Sequence, residues 1–189
     1  MATDATAFVA CVWEHEDGSF PDSSLLEVAH LGFCLRQHDA PIRRVVLVTP
    51  KLFRNKKVWR WLGDIWEIHQ VQHLQVKHKG CGQRLAQVWT KLRVFDPASY
   101  AATTLPSVIL FLDTDIHVRA SLSDLFWVVH HDCRLAAVWR GGCAPNTAIP
   151  GEVRPSHSIR KCNPRRPWHG GGINSGVFVA RNETRLSAE

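Results

Sequence analysis

Two carboxylates separated by one residue follow the most apolar segment of the chain. Asp113 and Asp115 come directly after residues 107–112 (SVILFL), a composition that predicts a buried strand. Side chains two residues apart in an extended chain point to the same side, so we expect both carboxylates at the carboxyl end of this strand. Open α/β sheets bind ligands at that edge, and paired hard oxygens suit Mg²⁺ or Mn²⁺ with a phosphate. A helix cap or a surface turn is the alternative interpretation.

A glycine-rich segment and a lysine offer further polar groups. Residues 170–179 read GGGINSGVFV, in which the glycines let a ligand approach the backbone while Asn174 and Ser175 supply donors and acceptors. A turn before an edge strand would have the same composition. Lys91 lies in a predicted amphipathic helix, where it could meet a leaving diphosphate or rest its stem on apolar surface.

Strands and helices alternate along the chain. Apolar runs predict strands at 6–12, 44–49, 65–71, 107–112, 135–139 and 177–180. Helical spacing predicts helices from an N-cap at residue 22 or 23 to 37, and over 51–63, 84–95 and 122–129, while 141–172 is irregular and rich in proline. The expected fold class is therefore α/β, with a Rossmann-like, mostly parallel sheet and helices on both faces.

Length and composition restrict the class of protein. The chain has 189 residues, 45% apolar and 21% charged, which predicts one globular domain over 1–189 and argues against disorder. No apolar run has the length of a membrane span, and no signal peptide is recognisable, so we expect a cytoplasmic protein if Met1 is the true start.

Six scattered cysteines without a Cys-x-x-Cys pair indicate reduced thiols. A zinc set is conceivable but fits no standard spacing; it would comprise His69, His73, His78 and Cys81.

The net charge of +6 comes from clustered basic residues, at 43–44, 51–60, 77–93 and 160–166. Such clusters suit an anionic partner, either a nucleotide diphosphate, an acidic glycan or a nucleic acid. Solvated helix faces would explain any single cluster equally well. Nucleic acid is the weaker alternative, because the sequence contains neither an aromatic RNP pattern nor zinc-finger spacing. A dinucleotide-binding oxidoreductase is disfavoured, because no G-x-G-x-x-G follows the first strand.

Taken together and in order, these motifs resemble the glycogenin-like enzymes of glycosyltransferase family 8. The matching segments span about residues 7 to 180: AFV at 7–9, VVLVTP at 45–50, TKL at 90–92, FLDTD at 111–115, LSDLF at 122–126 and NSG at 174–176. The resemblance implies a GT-A fold, a UDP-sugar donor, Mn²⁺ (or Mg²⁺) and retention at the anomeric carbon. It implies transfer of a hexose-type sugar to a hydroxyl of a glycan, polyol or protein.

The resemblance also implies roles for individual residues. Asp113 and Asp115 would hold the metal, Thr114 would lie along the ribose, and Lys91 would face the diphosphate or the sugar. The remaining donor-binding positions are Asn174 and Ser175 for the sugar, Cys11, Trp13 and Glu14 for the uracil and ribose, and Arg84 ahead of the lysine helix.

The chain departs from the family pattern at two places. The strand end at Cys11 to Glu14 lacks the family's Thr-Thr-Asn run. The family's third metal ligand, a histidine in a His-x-x-Gly-x-x-Lys stretch, follows the Asn-Ser-Gly strand, and the sequence stops at Glu189 before it. Pro167-Trp168-His169 lies on the wrong side of Asn174 and is interpreted as unrelated. We therefore expect a domain without the family's C-terminal part, either an active transferase or a non-catalytic relative that binds UDP weakly or not at all.

Overall fold

Six strands form one mixed sheet in the computed structural model, which describes residues 6–14, 19–74, 88–100, 105–129, 134–140 and 172–182. The strands are β1 (Thr6–Val12), β2 (Arg43–Val48), β3 (Glu67–Gln70), β4 (Val108–Leu112), β5 (Leu135–Arg140) and β6 (Gly172–Arg181). Their spatial order is β3-β2-β1-β4-β6-β5. Neighbours from β3 to β4 are parallel, and β6 runs antiparallel to both β4 and β5. The predicted α/β class with a mostly parallel sheet is confirmed.

The sheet is covered on both faces because side chains alternate along each buried strand. One set of strand residues, including Phe8, Val46 and Leu110, packs against α1 (Asp22–His38), α2 (Pro50–Phe53) and α3 (Lys56–Leu62). The other set, including Val9 and Phe111, packs with Val94 and Tyr100 of two 3₁₀ helices, Val88–Phe95 and Pro97–Tyr100. A third 3₁₀ helix, Ser123–Val128, joins the first face through Phe126.

Helix α1 lies unusually close to the segment that precedes β3. Leu25, Val28 and Leu35 are buried on its inner face, and Trp66 Nε1 donates a hydrogen bond of 3.1 Å to the Val28 carbonyl. A Cβ at Gly32 would lie 2.4 Å from side-chain atoms of Ile65 and Trp66, so only glycine permits this approach. Helix α1 is thereby fixed in position over the sheet.

Several predicted elements need correction. The helix predicted over 51–63 is two helices: α2 ends with Arg54 as its C-cap, and Asn55 caps α3 by accepting a 2.9 Å hydrogen bond from the Lys57 N–H. Helix α1 begins after Pro21 as N-cap, one residue earlier than predicted. β3 is shorter than predicted, and β6 extends back through the glycine-rich segment to Gly172.

The predicted amphipathic α-helix around Lys91 is wrong in type. Its described part is the 3₁₀ helix Val88–Phe95, whose residues repeat every three positions rather than every 3.6. An amphipathic helix would bury its apolar face, but the apolar residues Trp89, Leu92 and Phe95 are 43%, 45% and 38% exposed. Residues 84–87 of the predicted helix, and residues 141–171 of the stretch 141–172 that was predicted to be irregular, lie outside the described residues.

Among the described helices, none combines the length and the apolar character that crossing a bilayer requires.

Candidate functional site

A cleft of about 250 Å³ lies at the carboxyl ends of β1 and β4. Because these two strands are parallel neighbours in the middle of the sheet, the residues that follow them meet at one edge. The cleft is lined by Cys11, Trp13, Glu27, Lys91, Asp113, Thr114 and Asp115. All of these except Glu27 were predicted as site residues from the sequence.

The chain turns immediately after β4. The Asp113 N–H donates a 2.7 Å hydrogen bond to the Gly176 carbonyl, which is the last link to β6. The Ile116 N–H then donates to the Asp113 carbonyl at 3.3 Å, and Thr114 and Asp115 form the turn between them. The extended conformation predicted for this motif is therefore wrong, and a turn brings Asp113 and Asp115 to the same cleft.

Lys91 and Asp113 form the ion pair of the cleft. Lys91 Nζ lies 2.5 Å from Oδ1 and 2.8 Å from Oδ2 of Asp113, and 5.6 Å from the centroid of the Phe111 ring. The lysine side chain is 12% exposed and the aspartate side chain 32% exposed. Limited solvation strengthens this charge pair relative to one on an open surface. The 3₁₀ helix therefore brings a positive charge to the carboxylates.

Cys11 and Trp13 form the β1 side of the cleft. The registered pair Val9↔Phe111 places Cys11 level with Asp113 two residues further along. Burial raises the pKa of the Cys11 thiol to about 12, against a smaller lowering by the Lys91 ammonium. The Sγ atom lies 3.9 Å from the Thr90 carbonyl. Cys11 is thus a neutral packing residue of this wall, and Trp13 is the half-buried aromatic beside it.

The backbone of β6 brings the Asn-Ser-Gly segment to the same edge of the sheet. Leu112 pairs with Val177, so residues of β6 before Gly176 extend past the carboxyl end of β4. Asn174 and Ser175 are among them, and Asn174 pairs with Val138 of β5 beyond a bulge. The sequence predicted these two residues at the mouth of the strand, and their backbone lies there, inside the longer β6.

Two other predicted donor-binding residues do not line the cleft. Glu14 accepts hydrogen bonds from the Thr49 hydroxyl and, at 3.2 Å, from His73 Nε2. Burial raises the pKa of Glu14, but the hydrogen bonds from Thr49, from its own backbone and from His73, together with the charge of His73, outweigh burial, so the pKa of Glu14 lies below its ordinary value. Arg84 lies outside the described residues.

One residue of the cleft was missed by the sequence analysis. Glu27 is an exposed residue of α1 and contributes a third carboxylate to the lining. It lies 86 positions before Asp113, in a helix whose hydrophobic pattern indicates only which face packs against the core. No local spacing in the sequence could have connected it with the turn after β4.

The conceivable zinc set is not assembled in the described part of the chain. His69 is buried, with its Nε2 3.8 Å from Glu67 and its ring centroid 6.0 Å from that of Tyr100, whereas His73 contacts Glu14. Its other two members, His78 and Cys81, lie outside the described residues.

A larger cavity of about 310 Å³ lies near the opposite ends of β2 and β3. The charged residues that line it form hydrogen bonds within the fold. Arg43 donates to Glu67 at 3.1 and 2.8 Å, and Arg44 donates to the Ile65 carbonyl at 3.1 Å. The Arg43 guanidinium, by its hydrogen bonds, holds the pKa of Glu67 below its ordinary value. We therefore assign the candidate active site to the smaller cleft, where carboxylates and a lysine converge.

Solved structures that resemble the chain are glycosyltransferases. Galactosyltransferase LgtC, solved with donor and acceptor sugar analogues, is 14% identical with a TM-score of 0.49. GlyE of Streptococcus pneumoniae TIGR4 is 18% identical with a TM-score of 0.46, and the bifunctional glycosyltransferase WbbM is 14% identical with a TM-score of 0.48. Neither protein-family profiles nor curated protein sequences match the chain.

These similarities cover most of this chain but only part of the other proteins. They cover 93–94% of this chain, against 57% of LgtC, 33% of GlyE and 31% of WbbM. The chain thus spans from about a third to somewhat over half of the length of the solved structures it resembles.

Proposed function

We propose that this chain is a metal-dependent, retaining glycosyltransferase domain with the GT-A fold of family 8. It would transfer a hexose-type sugar from a UDP-sugar to a hydroxyl group of a glycan, a polyol or a protein. The observation that carries the proposal is the convergence of Lys91, Asp113 and Asp115 in one cleft at the carboxyl end of the central strand β4. Four of the six segments that resemble family 8 also fall on the elements that border this cleft: β1, the 3₁₀ helix of Lys91, β4 and β6.

The donor atoms of the turn suit a hard divalent cation. Asp113 and Asp115 are partly or fully accessible and offer only oxygen ligands, the chemistry that Mn²⁺ and Mg²⁺ prefer together with phosphate oxygens. These two residues would hold the metal. Bound there, the metal would supply positive charge that offsets the charge developing on the departing UDP.

Lys91 would act as the second cation of the cleft. In the structure its ammonium neutralises Asp113 and lies 5.6 Å from the centroid of the Phe111 ring. With a nucleotide diphosphate bound, the ammonium would turn from the carboxylate to the phosphate oxygens. Because the lysine side chain is largely buried, little hydration has to be removed when it does so.

The donor would lie between the two strand ends. The half-buried Trp13 offers a ring for stacking on the uracil, and Thr114 lies at the turn, where it would contact the ribose. Asn174 and Ser175 follow along β6 and would contact the sugar.

Attack by the acceptor on the face that UDP leaves would retain the anomeric configuration without a covalent enzyme intermediate. Glu27 adds a carboxylate on the α1 side of the cleft, within the same lining as Asp113 and Asp115.

One observation favours a second candidate function, a non-catalytic relative with the same fold. The Lys91–Asp113 pair already satisfies the carboxylate that would hold the metal, with both Asp113 oxygens within 2.8 Å of Nζ. A protein that had lost catalysis could keep this pair purely for stability. Such a protein would bind UDP weakly or not at all, with no dependence on Mn²⁺.

Calorimetry with UDP, with and without Mn²⁺, tests the proposal. We expect wild-type binding that requires Mn²⁺ and is lost in Asp113→Asn. Asp124→Asn, a change of the same type at an exposed residue of the 3₁₀ helix Ser123–Val128, should bind as the wild type does. Metal-independent binding, or none in a folded sample, would support the non-catalytic alternative. Salt-sensitive RNA binding without UDP binding would instead point to the nucleic-acid alternative.

A further inference from the structure

Two histidines and a cysteine converge beside α1, in a cluster outside the cleft lining. His30 and Cys34 are one helical turn apart on α1, and His117 follows the turn after β4. His30 Nε2 lies 2.7 Å from His117 Nδ1, and Cys34 Sγ lies 3.5 Å from His30 Nε2. One ligand atom from each residue falls within 4.8 Å of the others. We call these three residues the His-Cys cluster.

Residues at i and i+4 of a helix project from the same face, so α1 presents His30 and Cys34 together. The third member comes from a segment 87 positions away from His30, brought there by the sheet. The two imidazole rings are nearly parallel, with 4.9 Å between centroids and 6° between planes. Cys34 is buried, whereas both histidines are exposed, so the cluster is open to solvent on the histidine side.

The spacing of the cluster is close to that of a tetrahedral zinc site. With Zn–N bonds near 2.0–2.1 Å and a Zn–S bond near 2.3 Å, two nitrogens lie about 3.3 Å apart and a nitrogen and a sulfur about 3.6 Å apart. The observed 3.5 Å between Cys34 Sγ and His30 Nε2 already matches. The 2.7 Å between the histidine nitrogens is shorter because a hydrogen bond joins them. To complete the geometry, the two rings would turn so that both nitrogens face one point, and the His117–Cys34 ligand distance, which lies within 4.8 Å, would approach 3.6 Å.

We propose that His30, Cys34 and His117 bind a Zn²⁺ ion. Imidazole nitrogen and thiolate sulfur select zinc over the hard cations that suit Asp113 and Asp115. Binding releases the Cys34 proton to solvent. The histidine that donates the His30–His117 hydrogen bond shifts to the tautomer with its proton on the other ring nitrogen, so both rings bind the metal as neutral imidazoles. Three protein ligands leave a fourth position for water on the exposed side.

The ion ties the segment after β4 to α1. His117 follows Asp115 by two residues, and α1 also carries Glu27 of the cleft. Zinc at the His-Cys cluster would therefore add a link between α1 and this segment, which core packing and strand pairing already hold in place. The proposed zinc site does not depend on UDP binding in the cleft, because none of its three ligands lines that cleft.

Cobalt titration tests the site. The tag-free protein is stripped of metal, reduced with a phosphine in thiol-free buffer and titrated with Co²⁺. We expect one equivalent to produce visible d–d bands and a thiolate-to-cobalt charge-transfer band, both displaced by Zn²⁺. Cys34→Ser should abolish the charge-transfer band, and His117→Asn should weaken binding by at least about tenfold, the loss seen even for supporting residues around metal ligands.

The controls separate this cluster from other metal-binding groups. His38→Asn removes a histidine one turn beyond Cys34 on the same helix and should leave the Co²⁺ spectrum unchanged. Asp113→Asn should also leave it unchanged, which keeps this test independent of the proposed transferase site. Circular dichroism confirms that each variant is folded, and Zn²⁺ should raise the melting temperature of the wild type but not of Cys34→Ser. A charge-transfer band that persists in Cys34→Ser, or its absence from the wild type, would overturn the proposal.

Discussion

The cleft and the His-Cys cluster both include residues of one short segment, 113–117, and differ in almost every chemical respect. The cleft gathers the carboxylate oxygens of Glu27, Asp113 and Asp115, of which Asp113 is paired with Lys91. The His-Cys cluster gathers nitrogen and sulfur ligands held by one histidine–histidine hydrogen bond. The cleft is bordered by strand ends, whereas the cluster joins α1 to the segment after β4, with Cys34 buried and both histidines exposed.

In the two proposals, one short segment, residues 113–117, would supply ligands for two kinds of metal ion without mixing them. Hard and soft ligands would compete if they shared a cavity, because a softer metal such as Zn²⁺ outcompetes Mn²⁺ at most N, O and S sites. Here Asp113 and Asp115 line the cleft, while His117 contacts α1 instead. A change in one region should therefore leave the metal chemistry of the other intact.

The largest effect is expected from removing a carboxylate of the cleft. Asp113→Asn should lower transfer from a UDP-sugar by about 10²–10³-fold, the loss typical of deleting one preorganised electrostatic group. Release of UDP from a panel of UDP-sugars with Mn²⁺ measures this, with Asp124→Asn as the matched control. If Asp113→Asn kept the wild-type rate, the carboxylate would have no part in catalysis.

A second prediction concerns the independence of the two regions. Cys34→Ser should lose Co²⁺ affinity by at least about tenfold while retaining Mn²⁺-dependent binding of UDP, and Asp113→Asn should show the opposite pattern. Co²⁺ spectroscopy and UDP calorimetry on the same preparations measure both. Loss of both activities in both folded variants would mean that the regions form one coupled site.

A third prediction addresses the Lys91–Asp113 pair. Lys91→Met should lower the free energy of unfolding by about 1–2 kcal/mol, because it leaves Asp113 without its charge partner. Lys91→Met combined with Asp113→Asn should be less destabilised than the sum of the single changes, since the second change removes the unpaired charge. Urea unfolding of the four proteins measures the coupling. Additive effects would show that the pair contributes no interaction energy.

The smallest effect is expected at Glu14, the predicted donor-binding carboxylate that lies outside the cleft lining. Since the pKa of Glu14 is lowered in the folded chain, its ionised form stabilises the fold above the pKa of an unfolded glutamate, about 4.3. That contribution is lost as the pH falls through the lowered pKa. Melting temperatures between pH 6 and acidic pH should therefore fall less steeply in Glu14→Gln than in the wild type. Parallel curves would contradict the assigned hydrogen bonds.

The sequence predicted the parts of this molecule that depend on neighbouring residues. The β-branched and apolar runs located β1, β2 and β4, and the two aspartates after β4 indicated the cleft by their position at the end of a strand. Where backbone geometry was needed, prediction was less accurate. The period of three around Lys91 and the turn at Thr114 could not be read from spacing, because both depend on packing against the sheet.

Contacts between distant segments were beyond sequence reasoning. Glu27 and the His-Cys cluster join α1 to the segment after β4, and no local pattern connects them. The spacing of His30 and Cys34 at i and i+4 was a usable signal for two ligands of one metal. It was incomplete without His117, whose place is fixed by strand pairing.

The strand order has a consequence for how the chain folds. β6 lies between β4 and β5 in the sheet but comes after both in the sequence, and β1 pairs with β4 about 100 residues later, through Thr6↔Val108. During synthesis β5 therefore leaves the ribosome before the strand that separates it from β4 exists. Such non-local pairing slows folding, and the edge that carries Asp113 can form only after Gly176 has emerged. A nascent chain would form its helices early and complete the sheet edge that carries Asp113 last.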